Sequence, residues 1–251
     1  MDPVTGFSFA MSYCGQPPLP DTIWARWNLD PILLTALAGA GGLGLHLLRK
    51  ATGKRKLAFA AAWLFAAMLF VSPLCALTVA LFSGRVTHHV LLTMGVAPLL
   101  ALALPARWGQ TRNLLLPLSA STIALWLWHS PDLYTAAFAH PAIYWAMQLS
   151  LLASFTWLWL GLLHSRATLA AGITALTSAI QMGFLGALLV FAPDPLYLPH
   201  LTTTFPFGLS PVDDQQLGGL VMWVPANLPL LALVLWRLLA GLGPQAKTSA
   251  Q

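Results

Sequence analysis

The residues with chemical potential in this chain are seven histidines, two cysteines and a short Asp-Asp-Gln-Gln run, set in otherwise apolar sequence. His89 is placed at the start of one apolar run and His129 at the end of the next, so both project from the same end of neighbouring helices. His88 is adjacent to His89 but points roughly 100° further round a helix, so both face one ion only if the helix start is irregular. Soft donors fall on the same side: Met11 and Cys14 near the N-terminus, Cys75, and Met94 about a turn and a half beyond His89. Imidazole, thiolate and thioether together suit copper better than a hard cation. The spacing is not that of a diagnostic metal motif, and interhelical hydrogen bonding by the same imidazoles is the competing reading. Cys75 and Met94 read equally well as core. Cys14 and Cys75 form no Cys-x-x-Cys pair and are too few for a disulfide framework. An alternative use of His89 and His129 is axial ligation of a haem between facing helices.

The second polar focus is Asp213-Asp214-Gln215-Gln216, which leads into the last apolar run through Leu217-Gly218-Gly219. Carboxylates near a helix N-terminus cap its free N–H groups and complement its dipole, which accounts for one Asp. The remainder of the cluster is suited to holding a loop, positioning a partner, or orienting the histidines. Trp126, Trp128, Trp157, Trp159 and Trp223 are explained by interfacial anchoring and packing.

The elements that must carry these groups are set by composition. Hydrophobic residues make up 58% of the 251 residues, charged residues only 8%, and mean hydropathy is +0.74, so lipid is the solvent for most of the surface. Runs long enough to cross ~30 Å of hydrocarbon predict helices near 31–48, 57–81, 88–104, 114–130, 143–163, 169–192 and 217–240. The expected fold is an all-α polytopic bundle of about seven transmembrane helices forming one domain over residues 1–251. Pro73, Pro98 and Pro225 fall inside runs, where kinks are expected. Gly39, Gly41, Gly42 and Gly44 in the first helix, and Gly172, Gly183 and Gly186 in the sixth, permit close helix approach.

Lys and Arg resist translocation, so Arg49, Lys50, Lys54, Arg55 and Lys56 make the first link cytoplasmic. Alternation then places the N-terminus outside and the C-terminus inside, with Arg107, Arg112, Arg166, Arg237 and Lys247 also inside. All seven acidic residues fall outside, an independent agreement. His88, His89, His129, His140 and His200 lie on that outer side, and His46 and His164 near the cytoplasm. Asp2 and the absence of a basic stretch at the start argue against a removable signal peptide. The net charge of +5 resides in loops and builds no aromatic-interleaved groove, which argues against nucleic acid as a partner; the loop Arg49 to Lys56 is able to bind membrane lipid or a partner, but orientation accounts for it. Pro193 to Gln216 is expected to be an external loop able to fold over the bundle.

Taken in order along the chain, several motifs resemble the CtaG family of cytochrome c oxidase assembly proteins. They are Asp30-Pro31, Ser72-Pro73-Leu74, Leu81-Phe82-Ser83 through His89-Val90-Leu91-Leu92, Ala97-Pro98, Trp128-His129-Ser130-Pro131 with Leu133-Tyr134, and Pro195-Leu196-Tyr197. The most specific is Asp214-Gln215-Gln216-Leu217-Gly218-Gly219 with Met222-Trp223-Val224-Pro225. The resemblance implies a seven-helix factor of a bacterial inner membrane, without enzymatic activity, that supplies copper to haem-copper oxidases or docks a nascent oxidase subunit or copper chaperone. It implies His89, His129 and His88 as copper ligands, and Asp214, Gln215, Gln216, Trp128 and Tyr134 in support. The chain departs from the family in two places. Arg85-Val86-Thr87-His88-His89 stands where the family has His-Met-x-x-His, and Met147-Gln148 where it has a Glu-His pair.

A transporter is a weaker reading, because the spans hold almost no ionisable residue at mid-bilayer and show no inverted repeat. A retinal protein is excluded, since the last helix lacks a lysine for a Schiff base.

Overall fold

The computed structural model describes residues 12–110 and 113–242, which form helices and connecting turns, with no strand among the described residues. Met11, Asp2, Arg112 and Lys247 lie outside them. Helix α1 (Pro31–Leu47) starts where Asp30 accepts a hydrogen bond from the Ile32 amide at 3.0 Å, with Pro31 supplying the fixed first-turn φ. Helix α2 (Gly53–Val71) and α3 (Leu74–Ala80) are the two halves of the second apolar run, bent by 47° at Ser72-Pro73 because Pro73 cannot continue the hydrogen-bond ladder.

Leu81 is a single extended corner residue, and α4 (Phe82–Ala103) begins directly after it. This corrects the expected start near 88: His88 and His89 sit in the second turn of the helix, not at its opening. Residues Leu91–Val96 of α4 widen into a π-helical stretch ahead of Pro98, which has no N–H to offer the carbonyl four residues back. The loosened backbone is gripped from outside, the Thr93 carbonyl accepting from the Trp159 indole at 3.0 Å.

Helix α5 (Leu115–Trp128) ends at His129, and a short unforeseen helix α6 (Pro131–Ala139) follows. Helices α7 (Pro141–His164) and α8 (Thr168–Phe191) agree with expectation. Helix α9 (Pro211–Trp223) starts six residues earlier than expected, because Ser210 and Asp213 form a reciprocal capping box ahead of the Asp214-Gln215 run. A tight turn at Pro225–Asn227 leads into α10 (Leu228–Leu242).

Among the described residues, four stretches are long and apolar enough to cross a membrane, and a fifth if α2 and α3 count together. The apolar helices α1 and α5, at 17 and 14 residues, fall short of the ~20 that a perpendicular crossing takes. Large apolar side chains face outward all round the bundle, Ile32, Leu169 and Phe191 being more than 70% exposed, as lipid contact requires. Helix α4 is central and packs against α2, α3, α7 and α9. Its burial follows from the close approach of its neighbours: a Cβ at Gly218 of α9 would stand 2.6 Å from the Phe82 ring, and one at Gly186 of α8 would stand 2.8 Å from the Gly219 carbonyl.

Candidate functional site

One end of the bundle collects the N-terminal strap (residues 12–30), the α3–α4 corner, α6 and the loop at 192–210. The strap is fastened by a disulfide between Cys14 and Cys75, whose Cα atoms are 5.4 Å apart. This corrects the reading of both cysteines as soft metal donors: neither sulfur is a free thiolate here. The pairing was invisible in sequence because 61 residues separate the two positions. The strap also pins Tyr13, which stacks on Tyr144 at 5.0 Å and donates to Asp30 at 2.9 Å. Burial and the Asp30 carboxylate push the Tyr13 hydroxyl pKa up, so it stays a donor.

Beneath the strap, α4 carries Arg85, His88 and His89, all at most 3% exposed. His129 reaches His89 from the end of α5, with ring centroids 5.8 Å apart. His129 Nδ1 donates to the Leu125 carbonyl at 2.7 Å, which fixes the tautomer and leaves Nε2 with its lone pair free. That Nε2 and both ring nitrogens of His89 are buried without a hydrogen-bond partner. His88 lies 6.1 Å from His89 on its other side and meets the edge of Phe70. No group of three His, Cys, Asp or Glu side chains converges on a metal-sized point among the described residues. The geometry is that of an imidazole pair with a third imidazole alongside. Met94 belongs to the apolar core.

Arg85 faces this cluster. Its guanidinium carbon lies 4.0 Å over the Phe138 ring, 4.9 Å from Tyr134 and 5.7 Å from Tyr144. Gln148 on α7 is buried nearby, with Oε1 unpartnered.

Asp214 has a different job from capping its own helix. Its carboxylate accepts from the amides of Phe82 (2.6 Å) and Ser83 (3.1 Å) and from the Ser83 hydroxyl, and so caps α4 from another helix. The neighbouring Asp213 supplies the local capping box. Gln215 holds the loop at 192–210, accepting from the Leu196 amide at 2.7 Å and donating to the Leu189 and Asp194 carbonyls. Gln216 is half-buried and joins neither network. Trp128 donates to the Ser150 hydroxyl at 2.8 Å and ties α5 to α7.

The loop at 192–210 does fold over the bundle. Tyr197 donates to the His129 carbonyl at 2.9 Å and stacks on Phe82 at 4.2 Å. His200 Nδ1 meets the Ala80 carbonyl, so Nε2 accepts from the Tyr134 hydroxyl at 2.7 Å. Burial, then the Arg85 charge, lower the His200 pKa to about 3, which keeps this imidazole neutral. Tyr144, Phe138 and Tyr197 were not singled out as site residues, since aromatic residues in apolar sequence carry no mark of their partners.

Residues 37–241 match the family described as cytochrome c oxidase caa3 assembly factor. The chain belongs to that family. No curated protein and no solved structure gives a significant match. The assembly factor therefore acts in the biogenesis of cytochrome c oxidase, a role that involves oxidase components as partners. The match spans every element of the polar end except the strap and the first turns of α1.

Proposed function

We propose that this protein is a non-enzymatic membrane assembly factor that receives a nascent haem-copper oxidase subunit, and copper destined for it, at the bundle end closed by the disulfide. The observation that carries the copper reading is the buried imidazole pair His89–His129, with three ring nitrogens unpartnered and one tautomer fixed by Leu125. The donor set fits a soft monovalent ion. Two neutral imidazoles without a carboxylate suit copper(I) and give calcium, magnesium or a four-coordinate zinc too few ligands. Copper is cargo in this reading. A site with two good donors and Arg85 beside it holds a cation loosely, as a hand-over requires. His88 supports the pair, and Asp214, Gln215, Trp128 and Tyr134 hold the helices and the loop that position it. Nothing favours a haem between the imidazoles, which are walled in by packed side chains.

The polar end faces the outside of a bacterial plasma membrane. A disulfide persists in an oxidising compartment, which supports an external strap. The opposite end carries Arg55, which donates to the Ala103 carbonyl, and Arg237, which holds carbonyls at the end of α7. A basic inner face is the positive-inside pattern. With α1 and α5 counted as tilted or shallow spans, the chain crosses seven times, and the oxidase subunit or a copper chaperone docks from outside.

The test is copper loading of purified wild type and of the double variant His89→Ala, His129→Ala, with oxidase maturation scored in copper-limited cells. The expected result is about one copper per chain in wild type, loss in the variant, and immature oxidase. Normal maturation in copper-limited cells carrying the double variant overturns the copper role and leaves docking.

A further inference from the structure

The first two turns of α4 hold a full positive charge that no group neutralises. Arg85 is 3% exposed, and its Nε and Nη1 have no hydrogen-bond partner. The carboxylate that caps the same helix, Asp214, has its oxygens engaged by Phe82 and Ser83. Taking a cation out of water costs more than aromatic faces return. The rings of Phe138, Tyr134 and Tyr144 therefore leave most of that cost standing.

The neighbouring imidazoles do not balance it: His88 and His89 are buried beside Arg85, and a neutral imidazole carries one N–H and one lone pair but no charge. Nε and Nη1 of Arg85 thus point into a buried region where, among the described residues, the unpartnered acceptors are neutral ones, the Oε1 of Gln148 and imidazole nitrogens such as His129 Nε2. A buried guanidinium met only by neutral groups leaves its charge to be balanced by an anion.

We propose that Arg85, with His88 one turn further along α4, holds one small monovalent anion of chloride size in the resting protein. Size follows from enclosure: Arg85, His88, His89 and Gln148 are all at most 3% exposed, so a carboxylate on a partner chain has no path to the guanidinium without displacing the strap or α6. The site is distinct from the His89–His129 pair and does not depend on copper being bound there.

The test uses copper-free full-length protein in detergent. Wild type is exchanged into sodium gluconate and titrated with sodium chloride or bromide at constant ionic strength, and Tm is followed by tryptophan fluorescence. A ligand that binds only the folded state raises Tm saturably, here by about 5 °C, and the rise disappears in Arg85→Gln and partly returns in Arg85→Lys. A second readout needs no variant: after bromide exchange and desalting, elemental analysis counts one bromide per chain. Equal halide shifts in wild type and Arg85→Gln overturn the assignment, as does wild type with neither a halide shift nor retained bromide. Stabilisation by formate or acetate without any by halide also overturns it, in favour of a carboxylate site.

Discussion

At the scale of single residues, Asp214 shows how much a side chain's role depends on what it faces. A carboxylate in the first turn of a helix is expected to cap that helix, yet this one spans 131 residues of sequence to cap α4. Asp214→Asn keeps the shape and removes the charge from three hydrogen bonds, two of them to backbone amides. The expected loss is about 1–3 kcal/mol, read as a Tm several degrees lower in detergent. A Tm equal to wild type would mean the carboxylate contributes nothing to α4. Sequence showed that two acids were one too many for a local cap; it held no sign of which acid reached elsewhere, because the partner is backbone and leaves no mark in residue type. The histidines were legible for a complementary reason. His89 and His129 flank a single helix–helix connection, and alternation of spans is enough to bring their ends together.

At the scale of elements, the prolines were read correctly as breaks, while two helix starts were not. Pro73, Pro98 and Pro225 each coincide with a bend, a π-helical stretch or a tight turn. The starts of α4 and α9 were placed six residues late because Phe82–Thr87 and Pro211–Gln216 are too polar for a hydropathy window. Polarity there means a helix that continues above the hydrocarbon, fed by the capping groups around it. The loop at 192–210 is held down by His200 and Tyr197, and this element carries a pH dependence. An unfolded histidine titrates near 6.5, whereas His200 in place titrates at about 3, facing Tyr134, Phe82, Phe138 and the Arg85 charge. A lowered folded pKa contributes stability above the unfolded value that is lost as pH falls from about 6.5 towards 3. Amide exchange in residues 192–210 is therefore expected to speed up between pH 6.5 and 5, and the effect is expected to be absent in His200→Gln. Equal pH profiles in the two proteins would rule out His200 as the cause. Close packing gives a third expectation: Gly186→Val forces a side chain against the Gly219 carbonyl, separates α8 from α9, and is expected to cost 1–3 kcal/mol or more. A folded variant with unchanged Tm would show that the two helices are free to part.

At the scale of the whole molecule, the disulfide at one end and Arg55 and Arg237 at the other divide the bundle into two ends with different chemistry. Closing a 61-residue loop removes chain entropy worth about 4 kcal/mol from the unfolded state, so Cys14→Ser with Cys75→Ser is expected to lower Tm by roughly 8–16 °C. The same pair of substitutions tests the strap as a cover, since protease is expected to cut residues 12–30 only when the bond is absent. Cleavage at equal rates with and without the bond would show that the other strap contacts suffice. The bundle architecture and its polar end were legible from apolar runs and from the sorting of charges. Its enclosure was not, because the strap, α6 and the loop at 192–210 are short, weakly patterned segments whose placement depends on long-range partners.

The cap on α4 also orders events in time. During synthesis α4, with His88 and His89, enters the membrane long before Asp214 leaves the ribosome. Until then, the first turn of α4 lacks the carboxylate that satisfies its amides. A chain arrested or truncated before α9 therefore contains all three histidines of the cluster but not the group that fixes the helix bearing two of them. The cluster takes its final form only when Asp214 has been made, so the order of synthesis leaves the cap of α4 among the last of its supports to be completed.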